Sequence, residues 1–565
     1  MMTGTGTHIS SPLLALLALL LQIGLATADD TDIDQVEIRR MLQEQLIAGE
    51  LQQIQPTPDW LKLRQIYHNY GGQLLWHAAS GQISLAGAEL HRFIAESATL
   101  GLEPHLYHAT DFSDQPFTTS RQVVLNDLLL TDGFLKLSEA LAQGQLDPGR
   151  VDPLWKIPVE RIDNIKLLDQ AVIDLNPSAV LNSLMPQAHG YQQLLQALSD
   201  YRHLADQGGW STLPDAPLIR PGDHHDLVPL LRQRLVASNE HGDEIPDDPR
   251  FYDPSLQQSI ERFQRSHGLK MDAIIGPHTR AAMNVSVEQR IAQIASNLER
   301  WRWLPQQLGD RYILVNIGGY LMQLIENDQI RLEKKAIIGR PKRTTPSFAT
   351  RVTHLVLNPT WTVPRRIAVE DLLPEQRRDS EYLLRKNIQI QQREGDQWVE
   401  QDPAMIDWGQ YSKYHFPFRL RQSPGDGNSL GRIKFHMPNP YDIYLHDTPA
   451  QGLFAYPVRD FSSGCVRVHE ISDLVHQLIP EDDIDTTAQI AEQLESRETQ
   501  YVKLAHPIDI FLVYFTAWVD TTGQIQFRPD IYDLDRPLIL GLQQLHLQQA
   551  SQLAHHDPEK NTLSD

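Results

Sequence analysis

Cysteine is almost missing from this sequence: Cys465 is the single thiol among 565 residues, so no intramolecular disulfide can form. An excess of positive charge is missing too. The formal charge of −22 excludes a general nucleic-acid binder, because a phosphate backbone would be repelled over most of the surface. It leaves room for a local basic site, such as the stretch containing Arg365, Arg366, Arg377 and Arg378. Compositional bias is absent: 41% hydrophobic and 22% charged residues are ordinary for a soluble protein and exclude collagen-like or low-complexity chain. Beyond the N-terminus there is no apolar run long enough to cross a membrane.

The N-terminus is the exception. Pro12 to Ala28 is dominated by Leu and Ala and ends in Ala26-Thr27-Ala28. A short apolar run closed by small residues is the pattern of a secretory signal peptide, expected over 1–28, although no Lys or Arg precedes it. The alternative is a retained membrane anchor. That needs about 20 apolar residues, more than this run has. Export to the periplasm is therefore expected. In an oxidising compartment a lone thiol is either a buried small hydrophobe or a reactive group.

The period of apolar residues divides the rest into an α+β multidomain chain. Residues 35–240 read as a helical scaffold domain, with apolar faces at Ile38, Met41, Leu42 and Leu46, and at Leu90, Phe93 and Ile94. No catalytic residue types gather there, which points to a scaffold or a dock for other proteins. Residues 216–250, rich in Pro, Asp, His and Gly, read as a linker or loop-bearing edge. His224 and His225 lie in it, but adjacent residues point apart and make a poor metal pair. Residues 241–290 form a small helical module: Leu256, Ile260 and Phe263 share one face, and Gly276-Pro277 breaks and restarts the helix. From Tyr312 the period becomes that of strands, giving a mainly β domain over 308–542. A polar insert at about 375–430 reads as a lid, and the tail at 543–565 as disordered.

The chemistry lies in two short segments. Tyr441 to His446 reads as a strand ending in a Pro turn, with Ile443 and Leu445 on one face and Asp442, Tyr444 and His446 on the other. After a loop comes Ser462-Ser463-Gly464-Cys465-Val466-Arg467-Val468, where Val466 and Val468 pack inward while Cys465 and Arg467 project together. Arg467 and a helix starting near Ile471 are expected to favour the thiolate. His446 would exchange the thiol proton, and the sulfur would attack a carbonyl. Backbone N–H groups around Gly464 and Cys465 would hold the oxyanion. The carbonyl or the carboxylate of Asp447 would orient the imidazole. Two other readings compete. Taken singly, His446 is a structural strand-end histidine and Cys465 a packing residue. A zinc site from Cys465, His446, His436 and His469 fits no standard spacing.

The same segments, Tyr444-Leu445-His446-Asp447-Thr448-Pro449 and Ser462 to Val468, resemble the signature of the YkuD-type L,D-transpeptidases. Asn297 to Leu304, Asn358 to Pro364 and Tyr514 to Trp518 resemble the large YcbB-type branch, over roughly residues 35–545. Phe263-Gln264, Gly268-Leu269, Asp272 and Ile275-Gly276-Pro277 resemble a small peptidoglycan-binding module, with Ala273 where Gly is usual. The resemblance implies Cys465 as nucleophile, His446 as base, Arg467 as an ordering residue and the Ser462-Ser463-Gly464 turn as oxyanion hole. Ser463 stands where many relatives have a second His. Tyr444 and Trp361 would line the cleft. The implied reaction is 3→3 cross-linking of peptidoglycan between donor and acceptor stem peptides, without a cofactor and open to carbapenems. An L,D-carboxypeptidase or an inactive wall-binding scaffold are the alternatives.

Overall fold

The computed structural model describes residues 35–49, 58–78, 80–112, 117–238, 240, 246–479 and 484–554. The leader expected over 1–28 lies outside them. Among the described residues no helix is long and apolar enough to cross a membrane.

In the N-terminal part, helices Gln35–Ala48, Trp60–Asn69, Leu85–Ala95, Asn164–Ile173 and Pro177–Ser183 surround a longer helix, Ser120–Gln143. Thr119 starts that helix in a capping box with Gln122, satisfying donors that the first turn would otherwise expose. Because the helix is covered on nearly every side, its polar groups must find partners inside. Asp127 accepts from Tyr67 Oη at 2.5 Å, from Trp76 N at 2.8 Å and from the His77 ring at 2.8 Å. These residues hold the scaffold together.

The small module begins earlier than its expected start at 241. Helix Val228–Ala237 packs with Pro254–Ser266 and Pro277–Met283 in one core. The stretch read as a linker thus supplies a third helix, because Val228, Leu231 and Leu235 fall on one face and are buried. His224 and His225 point apart as expected, His224 to Asp248 at 3.0 Å and His225 back to Leu227 N.

The C-terminal domain carries strands β1 (Arg311–Asn316), β2 (Leu321–Glu326), β3 (Gln329–Ile337) and β4 (Phe348–Leu357). An insert follows with β5 (Trp361–Thr362), β6 (Ile388–Glu394), β7 (Gln397–Gln401) and β8 (Phe418–Gln422). Then come β9 (Ile433–His436), β10 (Leu445–His446), β11 (Val466–Val468) and β12 (Gln500–Val513), and a hairpin of β13 (Ala517–Val519) and β14 (Ile525–Phe527). Eight of these close a barrel in the order β1-β12-β4-β9-β10-β11-β3-β2. Closure leaves no unpaired edge. Alternate residues such as Ile313, Leu355, Phe435, Leu445 and Val466 fill the interior.

The insert forms its own sheet, β5-β8-β6-β7, over its own apolar core. It begins at Trp361, not near 375, because the Arg365–Arg378 helical run packs into the same core through Ala368, Leu372 and Leu373. The Arg-rich stretch is spent as staples: Arg365 donates to Phe416 O, Arg377 to Trp408 O, and Arg366 and Arg378 pair with Glu370 and Glu375. The expected disordered tail is also different at its start. A helix runs Asp535–Ala554 and docks Leu538 against the scaffold-facing core. Residues 555–565 lie outside the described set.

Candidate active site

β10 and β11 run side by side in parallel, with Leu445 opposite Val466 and His446 opposite Arg467. Leu445, Val466 and Val468 enter the barrel core, so strand alternation turns His446 and Arg467 the other way. Tyr444, His446, Cys465 and Arg467 thereby line one cleft of about 800 Å³, roofed by Trp361, Arg366 and Asp371 of the insert. The two segments that carry the chemistry meet as expected. The first strand is shorter than expected, only Leu445–His446, because Asp442 takes a left-handed backbone (φ 55°) and turns the chain.

The His446 ring donates from Nδ1 to the Asp447 carbonyl at 2.5 Å, which leaves Nε2 as the acceptor nitrogen. Of the two orienting groups considered, the carbonyl holds the ring. The Asp447 carboxylate instead accepts from Arg432 N at 3.0 Å and Gln451 Nε2 at 3.2 Å. Gly431 is required beside it: its φ is 63°, and a Cβ there would collide with the Asp447 carboxylate.

The turn before Cys465 is locked from within. Buried Ser462 donates from Oγ to Cys465 O at 2.6 Å and accepts from Gly464 N at 3.1 Å. The Gly464 N–H is therefore not free for an oxyanion, which corrects half of that expectation. Gly464 sits at φ 120°, out of reach of ordinary side-chain-bearing residues. Ser463 accepts from Arg343 Nη1 at 2.8 Å and Arg340 Nη2 at 3.1 Å. Arg343 also reaches Glu370 and Asp371 at the base of the insert, so one guanidinium ties the roof to the thiol-bearing turn.

Cys465 is half-buried, its sulfur 3.7 Å from Asp442 O and hydrogen-bonded by the N–H and hydroxyl of Tyr444. Trp361 in turn donates to that hydroxyl. Burial pushes the thiol up, outweighing the pull of Tyr444, Lys434 and Arg467. Burial, with the charges of Arg467 and Lys434, pushes His446 down to about 3. The expectation of a thiolate-favouring site is thus corrected: thiol and imidazole both rest neutral. The expected helix, Ser472–Leu478, is short, and it buries Leu474 and Val475 in the barrel core without lining the cleft.

Lys434 was not picked out from the sequence. It lies opposite His446 across β9 and β10, and its ammonium sits 3.8 Å from the centre of the Tyr444 ring. The signal was present in β9, where Ile433 and Phe435 turn inward and Lys434 therefore turns out. Arg340, Arg343 and Asp371 were also missed. They come from separate loops, and no local pattern marks them. Arg467 carries a buried Nε–H without a partner among the described residues. The histidines of the zinc alternative are dispersed: His436 packs on His354 at 4.3 Å and His469 on Phe454 at 4.9 Å. Among the described residues no group of three or more His, Cys, Asp or Glu is placed to hold a metal.

Residues 310–487 match the YkuD family, described as the L,D-transpeptidase catalytic domain. Residues 61–198 match a "Scaffold domain", and 224–283 a "Putative peptidoglycan binding domain". A "Putative L,D-transpeptidase" of Haemophilus influenzae is 38% identical over 257 residues, 45% of this chain and 51% of that protein. The chain thus spans about half the length of this curated relative. Among solved structures, an L,D-transpeptidase from Xylanimonas cellulosilytica is 14% identical, with 53% of this chain and 100% of that chain covered and a TM-score of 0.17. One from Mycobacterium smegmatis is 11% identical over 36% of this chain and 58% of that chain, with a TM-score of 0.18. The chain carries a YkuD-family L,D-transpeptidase catalytic domain, together with a scaffold domain and a peptidoglycan-binding domain.

Proposed function

We propose that this protein forms 3→3 cross-links in peptidoglycan through an acyl-Cys465 intermediate. The observation that carries the reading is the shared cleft, in which a half-buried thiol and an imidazole with its acceptor nitrogen set by Asp447 O lie under one roof. Nε2 of His446 takes the thiol proton as sulfur attacks the carbonyl carbon of the third, diaminopimelate-type residue of a stem tetrapeptide. The C–N bond to the terminal D-alanine breaks, and the proton passes from His446 to the departing amine. An amine of a neighbouring stem then attacks the thioester, gives up a proton through the same imidazole, and releases the thiol.

Because Ser462 occupies the Gly464 N–H, the Cys465 N–H is the donor assigned to the developing oxyanion, typically worth about 3 kcal/mol. Arg467, a cation with an unspent donor, orders the anionic substrate. Tyr444 and Trp361 form the wall against which the peptide lies. Ser462 and Ser463 act by holding the turn, one from inside and one through Arg343. The place of action is the cell envelope, on its periplasmic side, with donor and acceptor stems as partners. The helical scaffold offers a surface to cell-wall synthesis proteins.

Intact-mass measurement with a carbapenem tests the acylation step directly. A single adduct is expected on the native chain and none on Cys465→Ala. Incubation with defined muropeptides then separates an amine acceptor, which yields dimers, from water, which yields only trimmed tripeptides. An unmodified native protein would overturn the reading.

A further inference from the structure

The cleft is not the only cavity at the barrel surface. A second one, of about 650 Å³, opens between the wall-binding module and the barrel, with Arg265 and Lys270 on one side and Lys335 and Arg459 on the other. Two guanidiniums form its floor. Arg459 is 8% exposed and donates only to backbone carbonyls, those of Ala336, Tyr456, Pro457 and Tyr320. Arg528 donates to Ser266 O, Phe527 O and the Gln526 amide. Among the described residues neither has a carboxylate within ion-pair distance. Burying a cation without an anion is costly, so such a pair at a cavity floor calls for an anion from outside. Burial pushes both guanidiniums down to about 10, and the charge of Arg459 adds to the effect on Arg528.

Of the acids nearby, Glu470 is paired with Lys334 at 2.7 Å. Glu333 accepts from the Gln323 amide at 2.8 Å and, with Asp520, offsets part of the Arg528 charge without forming an ion pair. On a chain of net charge −22 the cavity is a cationic exception. It is also joined to the catalytic cleft by one loop: Ala455, Tyr456, Pro457 and Arg459 wall the cavity, while Phe461, Ser462 and Ser463 wall the cleft. Tyr456 and Phe461 stand exposed between the two, edge to face at 5.8 Å. Exposed aromatic rings of this kind offer a face to a sugar or peptide strand passing over them.

We propose that this cavity is a second substrate site, taking a carboxylate-bearing stem peptide of the acceptor strand while the Cys465 cleft holds the donor. It rests on the transpeptidase reading, and it gives the wall-binding module a place in the reaction, as one wall of the acceptor site.

The test is binding of a soluble disaccharide-tetrapeptide muropeptide to the full chain carrying Cys465→Ala, followed by calorimetry. Two equivalents are expected. Adding Arg265→Glu, Lys270→Glu and Lys335→Glu, all at exposed positions, is expected to leave one. The single Lys270→Glu, on the rim, is expected to weaken the second equivalent about tenfold. In the active chain the triple variant is expected to form dimers about tenfold more slowly while its carbapenem adduct forms at the native rate. Two equivalents retained in the triple variant, or one in its parent, would overturn the proposal. Failure of the transpeptidase reading shows separately, as the absence of a carbapenem adduct on the active chain, because the stoichiometry is read without turnover.

Discussion

Residue by residue, the site separates two jobs that the sequence alone assigns to the same charges. Lys434 and Arg467 do pull the Cys465 thiol down, yet burial outweighs them, and the same two cations help to keep His446 unprotonated. The resting pair is therefore neutral, and His446 is available as a base at any pH well above 3. The rate of carbapenem acylation is expected to stay flat through pH 6 to 7, where an ordinary imidazole titrates, and to climb at alkaline pH as thiolate accumulates. A pH–rate series on the native chain checks this; an acid limb centred near pH 6.5 would contradict it. The stability consequence has a definite sign. An unfolded chain protonates His446 below its ordinary value of 6.5, whereas the folded one resists until about 3. Stability is thus lost as pH falls through that window. Thermal melts at pH 7 and pH 4 are expected to lie closer together for His446→Gln than for the native chain.

At the scale of elements, two features make measurable claims. Ala273 stands at φ 57°, in the left-handed region that favours Gly. A left-handed Ala costs about 1–2 kcal/mol, but a flexible Gly returns part of this in the unfolded chain and the buried methyl group lost is worth about 0.8 kcal/mol, so Ala273→Gly is expected to change the stability of the module by less than about 0.5 kcal/mol. Denaturant melts of the two chains read it. The second feature is the root of the insert. A π-helical turn at Ala368–Leu372 presents Glu370 and Asp371 to Arg343, which also holds Ser463. Such turns interrupt α-helices chiefly where function needs a side chain re-aimed. Arg343→Ala is expected to slow Cys465 acylation about tenfold to hundredfold, because the roof and the thiol-bearing turn lose their common tie. It is also expected to expose the Arg365–Arg378 run to proteolysis, which a defect confined to the turn would not do.

In the whole molecule, helix Val287–Arg302 joins three parts. Asn297 exchanges hydrogen bonds with Thr516, Glu299 accepts from Gln145 N and Leu146 N of the scaffold, and Arg300 pairs with Asp535 at 2.5 Å. The Asn297 to Leu304 and Tyr514 to Trp518 motifs are thus one buried junction that sets how scaffold and barrel meet. Breaking a buried ion pair leaves an uncompensated charge, so Asp535→Ala is expected to destabilise the chain by about 3–5 kcal/mol. Calorimetric melting measures that, and the folded fraction is expected to acylate Cys465 at the native rate.

Which faces of the segments around His446 and Cys465 point out was legible in the sequence, because strand alternation is a local rule that Leu445, Val466 and Val468 obey. The helical-then-β order of domains was legible for the same reason. The sequence could not determine the Asp447 carbonyl as orienter, the loss of the Gly464 N–H, the Arg343 tie or the junction ion pair. Each depends on groups brought together from distant parts of the chain or on the path of a turn. The direction of the thiol and imidazole shifts was also decided only in three dimensions, since desolvation depends on what covers a group and charge pattern along the chain does not report that.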